Sequence, residues 1–254
     1  MWGFAEIPLA LILLFVALLL FGAMELGLHG HRWLHRRPGA IRTEQVVPDH
    51  LVSAMLGLLA LLLGFTFSLA LSRYEARREL VVEEANAIGT TWLRAQLLEE
   101  PARSRLSPLL RDYADVRLAW SHDAASVPKY EATGLAQQRL WEQMGFALRH
   151  DSSQQLTRGL MDAMNESFDL ASARSAARMA HIPSEVLIVL LVCALLTALL
   201  LGYVMQVRRH RAATMLLLLL VAMTLTMIID LERPVAGAIR VSQQPLVDLR
   251  ASIH

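Results

Sequence analysis

Residues 51–71 read LVSAMLGLLALLLGFTFSLAL, and the chain runs on directly into SRYEARREL at 72–80. The first stretch carries no charge, while the second alternates arginine and glutamate. A helix crossing a hydrocarbon core of about 30 Å needs about 20 apolar residues, and residues 51–71 meet that length. No Pro interrupts the chain between Arg73 and Leu98, and its one Gly there is Gly89. The stretch therefore predicts one long helix that leaves the membrane and continues outside it as a polar helix.

Three more apolar blocks extend the pattern. Ile7–Gly27 carries a single charge, Glu25, near its end. Val186–Met205 carries none, and Ala212–Ile229 stops at Asp230. Four spans follow. A cleaved signal peptide is the rival for the first block, but no basic residue precedes it and its length suits a span. Hydrophobic residues make up 55% of the 254 residues and charged residues 19%. A soluble domain is nearer about 45–50% apolar, and the excess here sits in the four blocks. Net charge is +1, which gives no footprint for nucleic acid. Cys193, the single cysteine, lies in an apolar block and excludes an internal disulfide or a cysteine metal site.

Four spans put both termini on one side with the region Arg73–Pro183. The Gly27–His50 loop and the Gln206–Arg211 turn lie opposite. Arg32, Arg36, Arg37, Arg42, Arg208, Arg209 and Arg211 flank the spans on the loop side. Arg73, Arg77, Arg78, Arg174, Arg178, Arg233 and Arg240 flank them on the other. This balance leaves the positive-inside rule undecided. Net charge alone, through Glu75, Glu79, Glu83 and Glu84, leans toward cytoplasmic loops. The expected organisation is residues 1–72 for spans one and two, 73–183 for a helical extramembrane domain, 184–231 for spans three and four, and 232–254 for a tail. Pro101 and Pro108 punctuate the next stretch, in which Leu106, Leu109, Leu110, Tyr113, Val116 and Leu118 recur at roughly helical spacing. Ser121–Lys129 reads as a turn, Glu131 to about Leu148 as a helix, and Gln154 to Ile182 as another. With no alternating strand pattern, the fold class is all-α.

Each candidate chemistry has a plainer rival. His29, His31 and His35, with His50 later, could bind a transition metal. They lack a carboxylate partner of the H-E-x-x-H type and sit among arginines, so solvated interfacial histidines are expected. No phosphate loop, nucleophile elbow or Cys/His pair is present, and neither an enzyme nor a cofactor is expected. Glu25 and Asp230 at span ends are functional candidates or side chains that reach water. In span two, Ser53, Gly57, Ala60, Gly64, Ser68 and Ser72 form a small-residue stripe that admits a close helix. Gly57, Leu61 and Phe65 lie on a neighbouring strip at i, i+4 and i+8. They read either as helix packing or as apolar rings about an axis, which gate ions by dewetting.

The junction after span two resembles bestrophins. Gly64-Phe65 followed by Arg73-Tyr74-Glu75-Ala76-Arg77-Arg78 is similar to that family's pattern, and so is Asp230-Leu-Glu232-Arg-Pro234-Val-Ala-Gly237 with the later Pro245-Leu246. The closer likeness is to bacterial membrane proteins with a bestrophin-like domain of unknown function. It rests on Glu84-Ala85-Asn86-Ala87-Ile88-Gly89-Thr90 and on the Arg240-Val-Ser-Gln-Gln-Pro-Leu run. The resemblance implies a homo-oligomeric, pentameric ion channel in the inner membrane, with both termini and the helical domain cytoplasmic. It places the pore neck on Gly57, Leu61 and Phe65, with an open first ring at Gly57. Arg73, Glu75, Arg77, Glu79 and Asn86 fall at the vestibule or a subunit junction. The acidic run of the animal calcium clasp is missing. The expected partners are the lipid bilayer, further copies of the chain and inorganic ions. A non-conducting membrane interaction protein, whose helical domain docks a partner, is the alternative.

Overall fold

The computed structural model describes residues 7–35, 49–122, 127–150, 154–204, 211–233 and 237–253. Eight helices carry this structure: α1 (Leu9–His35), α2 (Asp49–Ala95), α3 (Ala102–His122), α4 (Val127–His150), α5 (Gln154–Met179), α6 (Ser184–Val204), α7 (Arg211–Leu231) and α8 (Gln244–Ser252). No strand occurs among the described residues. Four helical stretches, which include α1, α2, α6 and α7, are long and apolar enough to cross a membrane. The chain divides into two compact units, Met1–Ser72 with His181–Arg240 and Arg73–Ala180 with Val241–His254.

In the first unit, α1 buries Ile12, Val16, Leu20, Met24 and Leu28, one residue per helical turn. On α6, Leu190, Ala194, Thr197, Ala198 and Gly202 are buried at the same period. The two helices meet through reciprocal glycines. A Cβ on Gly27 would collide with the Leu199 carbonyl oxygen, and one on Gly202 with the Met24 carbonyl oxygen. Hydroxyls in these apolar helices are satisfied internally: Thr197 Oγ1 donates to Cys193 O and Thr226 Oγ1 to Ala222 O, both at 2.7 Å. Gly27, the expected end of span one, lies inside α1, which continues to His35. Here the glycine is a contact surface and not a breaker.

In the second unit, one apolar core draws Val81, Ile88 and Trp92 from α2, Leu106, Leu110 and Tyr113 from α3, Leu140 and Met144 from α4, and Leu160 and Met164 from α5. Leu246 of α8 joins it. Burial pushes the Tyr113 hydroxyl up to about 12. Helix α3 runs through Pro108, which sequence alone reads as punctuation. An interior proline costs about 3 kcal/mol, and the buried Leu106, Leu110 and Tyr113 around it contribute more than that on area grounds. Helix α5 ends at Met179, short of the expected Ile182. The tail contains α8, a helix with Pro245 in its first turn, where a missing N–H does no harm.

The glycine contacts predict a sharp contrast. Gly27→Ala and Gly202→Ala should each lower the melting temperature in detergent by several degrees, because a backbone-to-backbone contact cannot yield to a methyl group. Gly64→Ala should leave the melting of the isolated chain unchanged, since a Cβ there meets nothing within 4 Å.

Candidate functional site

Helix α2 has two faces. Its inward face carries Arg77, Val81, Glu84, Ile88, Thr91 and Ala95, all buried. Glu84 has no exposed surface. Its Oε1 accepts from Arg117 of α3 and its Oε2 from Arg174 of α5. Arg174 also donates to the Gln243 side-chain oxygen just before α8. Burial lowers the Arg174 guanidinium from its ordinary value, and the Glu84 carboxylate opposes that shift. Arg117, Arg174 and Arg178 lie over the buried Trp120 ring, at 4.6, 5.0 and 4.7 Å from its centroid. Gly89, on the same helix, leaves room for Leu249 of α8, whose Cδ1 would lie 3.3 Å from an added Cβ. Residues 84–90 and 243–249, far apart in sequence, are thus brought together in this unit.

The outward face is a continuous stripe, within about 40° of one line at 3.6 residues per turn. It begins with Gly57, Leu61 and Phe65, all exposed, with Leu61 at 54% and Phe65 at 67%. Ser68 and Ser72 follow, then Glu75, Glu79 and Glu83, then Asn86 and Thr90. All of these are exposed. The three expected neck residues therefore share a line with Glu75, Glu79 and Asn86. Arg77 does not join them: it is buried, and its Nε and Nη2 donate to Ala177 O at 3.1 Å and Ala180 O at 2.8 Å. Those carbonyls lie at and just beyond the end of α5, where a cation is favoured. Arg73 is half-buried on a flank and forms no ion pair with Glu75.

After α7 the motif residues have structural partners. Asp230 is buried, and its Oδ1 and Oδ2 accept from the backbone N–H groups of Ala238 (3.0 Å) and Ile239 (2.9 Å). Gly237 packs on it so closely that a Cβ would lie 2.5 Å from Asp230 Oδ1. Glu232 Oε2 accepts from the Ile182 N–H at 2.8 Å. Pro234 lies outside the described residues.

Among the described residues, the histidines do not converge. His29 and His31 lie on α1, not on a loop; His29 Nδ1 bonds the Glu25 carbonyl at 2.7 Å, and His31 stands edge-on to Tyr203. The His35 side chain lies outside what is described, and His50 is exposed near the start of α2. Among the described residues, no three His, Cys, Asp or Glu side chains are grouped to hold a metal. Glu25 pairs with Arg211 at the start of α7. The Glu84 network escapes a reading by charge alone. Its signal is positional: Glu84 occupies the buried register of Val81 and Ile88, where an acid needs cationic partners.

The sequence profile of the bestrophin-like domain matches residues 13–246. The chain belongs to the bestrophin-like domain family. Its fold is similar to a bacterial bestrophin homologue from Klebsiella pneumoniae, with a TM-score of 0.68 at 15% identity over 96% of this chain and 99% of that one. A single-substitution variant of that homologue gives the same TM-score at 14% identity, covering 94% and 99%. A further structure, described only as a membrane protein, gives 0.66 at 16% identity, covering 95% and 94%. No curated protein matches the chain. At these identities the bestrophin-like structures share the fold.

Removing one partner of a buried ion pair costs about 3–5 kcal/mol. Glu84→Gln should therefore lower thermal stability severely and loosen the α8 segment held through Arg174. The neighbouring exposed Glu83→Gln should leave melting unchanged. Circular dichroism melts, with limited proteolysis of the C-terminal segment, compare the two variants directly.

Proposed function

We propose that this bestrophin-like protein is a homo-oligomeric, pentameric ion channel of the cell membrane. Helix α2 lines its pore, and Gly57, Leu61 and Phe65 form its neck. The observation that carries this reading is the outward stripe of α2. Leu61 and Phe65 stand exposed on one line, and that same line turns hydrophilic at Ser68 and stays so through Thr90. A surface facing a water-filled axis needs both parts: an apolar ring that excludes ions by dewetting and a polar vestibule beyond it. Family membership supports a channel-type reading, as does the span count, too small for a transporter built from internal repeats.

In this arrangement Gly57 contributes the widest ring and Phe65 the tightest. Glu75, Glu79 and Asn86 line the vestibule. Arg77 acts from the interior by holding the end of α5. Asp230, Glu232 and Gly237 shape the chain after α7. The helical unit and both termini lie on the cytoplasmic side. A non-conducting interaction protein is the second reading, favoured by Leu135, Trp141 and Leu148, which stand exposed on α4.

Ion flux from liposomes holding purified, folded oligomer separates the two. Phe65→Ala should raise flux several-fold over wild type, because a methyl group cannot close the ring. Absence of flux from both proteins would move the function to partner docking. Purified protein that runs as a monomer in several mild detergents would remove the pore altogether.

A further inference from the structure

We propose that His181 and Glu232 form a proton-binding site at the start of span α6, where protonation of the imidazole completes an ion pair that fixes the chain. The geometry lies within the first unit. Pro183, just before α6, has no N–H, so the Ile182 N–H is the last donor ahead of the helix. It donates to Glu232 Oε2 at 2.8 Å. His181 Nδ1 stands 3.4 Å from the same oxygen. The Glu232 side chain is only 9% exposed, and its Oε1 is buried without a hydrogen-bond partner. The His181 side chain is 42% exposed, so protons reach it from water.

One backbone donor is little compensation for a buried carboxylate. A neutral imidazole adds little, because 3.4 Å is long for an N–H···O bond. An imidazolium at the same distance adds Coulomb attraction, which falls off slowly. Histidine is the side chain that changes charge between about pH 5 and 8.

Other charged groups lie on the elements that meet here. Both Asp230 oxygens accept backbone N–H groups of Ala238 and Ile239. The Arg233 guanidinium donates to the Ile7 carbonyl at 2.9 Å. Glu185, in the first turn of α6, is exposed and acidic. His181, once protonated, is an ion-pair partner of Glu232. Proton uptake therefore tightens the hold on Ile182, and proton loss releases it.

Amide hydrogen exchange at Ile182, corrected for its intrinsic pH dependence, tests the site without reference to conduction. Protection in wild type should be about two- to five-fold higher at the acid end of the histidine range than at the alkaline end, the size of a partly exposed ion pair. His181→Gln should keep the fold and abolish that difference, and Glu232→Gln should lower protection at both ends. Equal protection at both ends in wild type, or an undiminished difference in His181→Gln, overturns the proposal. Only its consequence for conduction rests on the pore reading: flux should differ between the two pH values in wild type and not in His181→Gln. Protein that lacks flux but shows His181-dependent protection keeps the proton site and loses the pore.

Discussion

A carboxylate with no exposed surface must be surrounded by positive charge, and Glu84 stands between Arg117 and Arg174 for that reason. Desolvating such a group costs several kcal/mol, so its partners must arrive in a narrow geometry. They come from α3 and α5, and through Arg174 the hold extends to Gln243 ahead of α8. Two guanidinium groups for one carboxylate leave positive charge over, and the face of Trp120 receives it, together with Arg178. The second unit is organised around this point: an apolar core beside it supplies most of the stability, and the ionic network sets which helix faces meet.

That network also orients the rest of α2. A helix without proline turns by a constant angle per residue, so anchoring Arg77, Val81, Glu84 and Ile88 inward commits Glu75, Glu79, Glu83 and Asn86 outward. The same register carried back along the helix turns Leu61 and Phe65 outward as well. The line of residues that the pore reading uses is thus a consequence of what is buried on the opposite side. Arg77 illustrates the division: in sequence it belongs to an arginine-glutamate cluster, but its register turns it in to the α5 carbonyls.

In the first unit, close packing falls where small residues face each other on two helices. Lipid tails are as apolar as leucine, so spans associate through contact and not through hydrophobic burial. Gly27 on α1 and Gly202 on α6 allow backbones to touch, supported by Ala194 and Ala198. The more conspicuous small-residue stripe of span two meets no such partner among the described residues, and its Gly57 and Gly64 have nothing within 4 Å of an added Cβ.

Much of this was legible in the residues themselves. Span length against membrane thickness sets the four apolar helices, the unbroken 51–95 stretch sets the long α2, and the lack of alternation sets the helical class. These are local properties, fixed by side-chain chemistry and by distances along one helix. The short motifs after spans two and four carried the family likeness. Other features depended on residues far apart in sequence. Glu84 looked like one acid among four until Arg117 and Arg174 enclosed it. Gly27 looked like a helix end until Leu199 packed against it, and the loop histidines looked like a cluster until α1 continued through them. Sequence determines which face of a helix can be buried; only tertiary structure decides what meets that face, because a partner's position depends on the whole path of the chain.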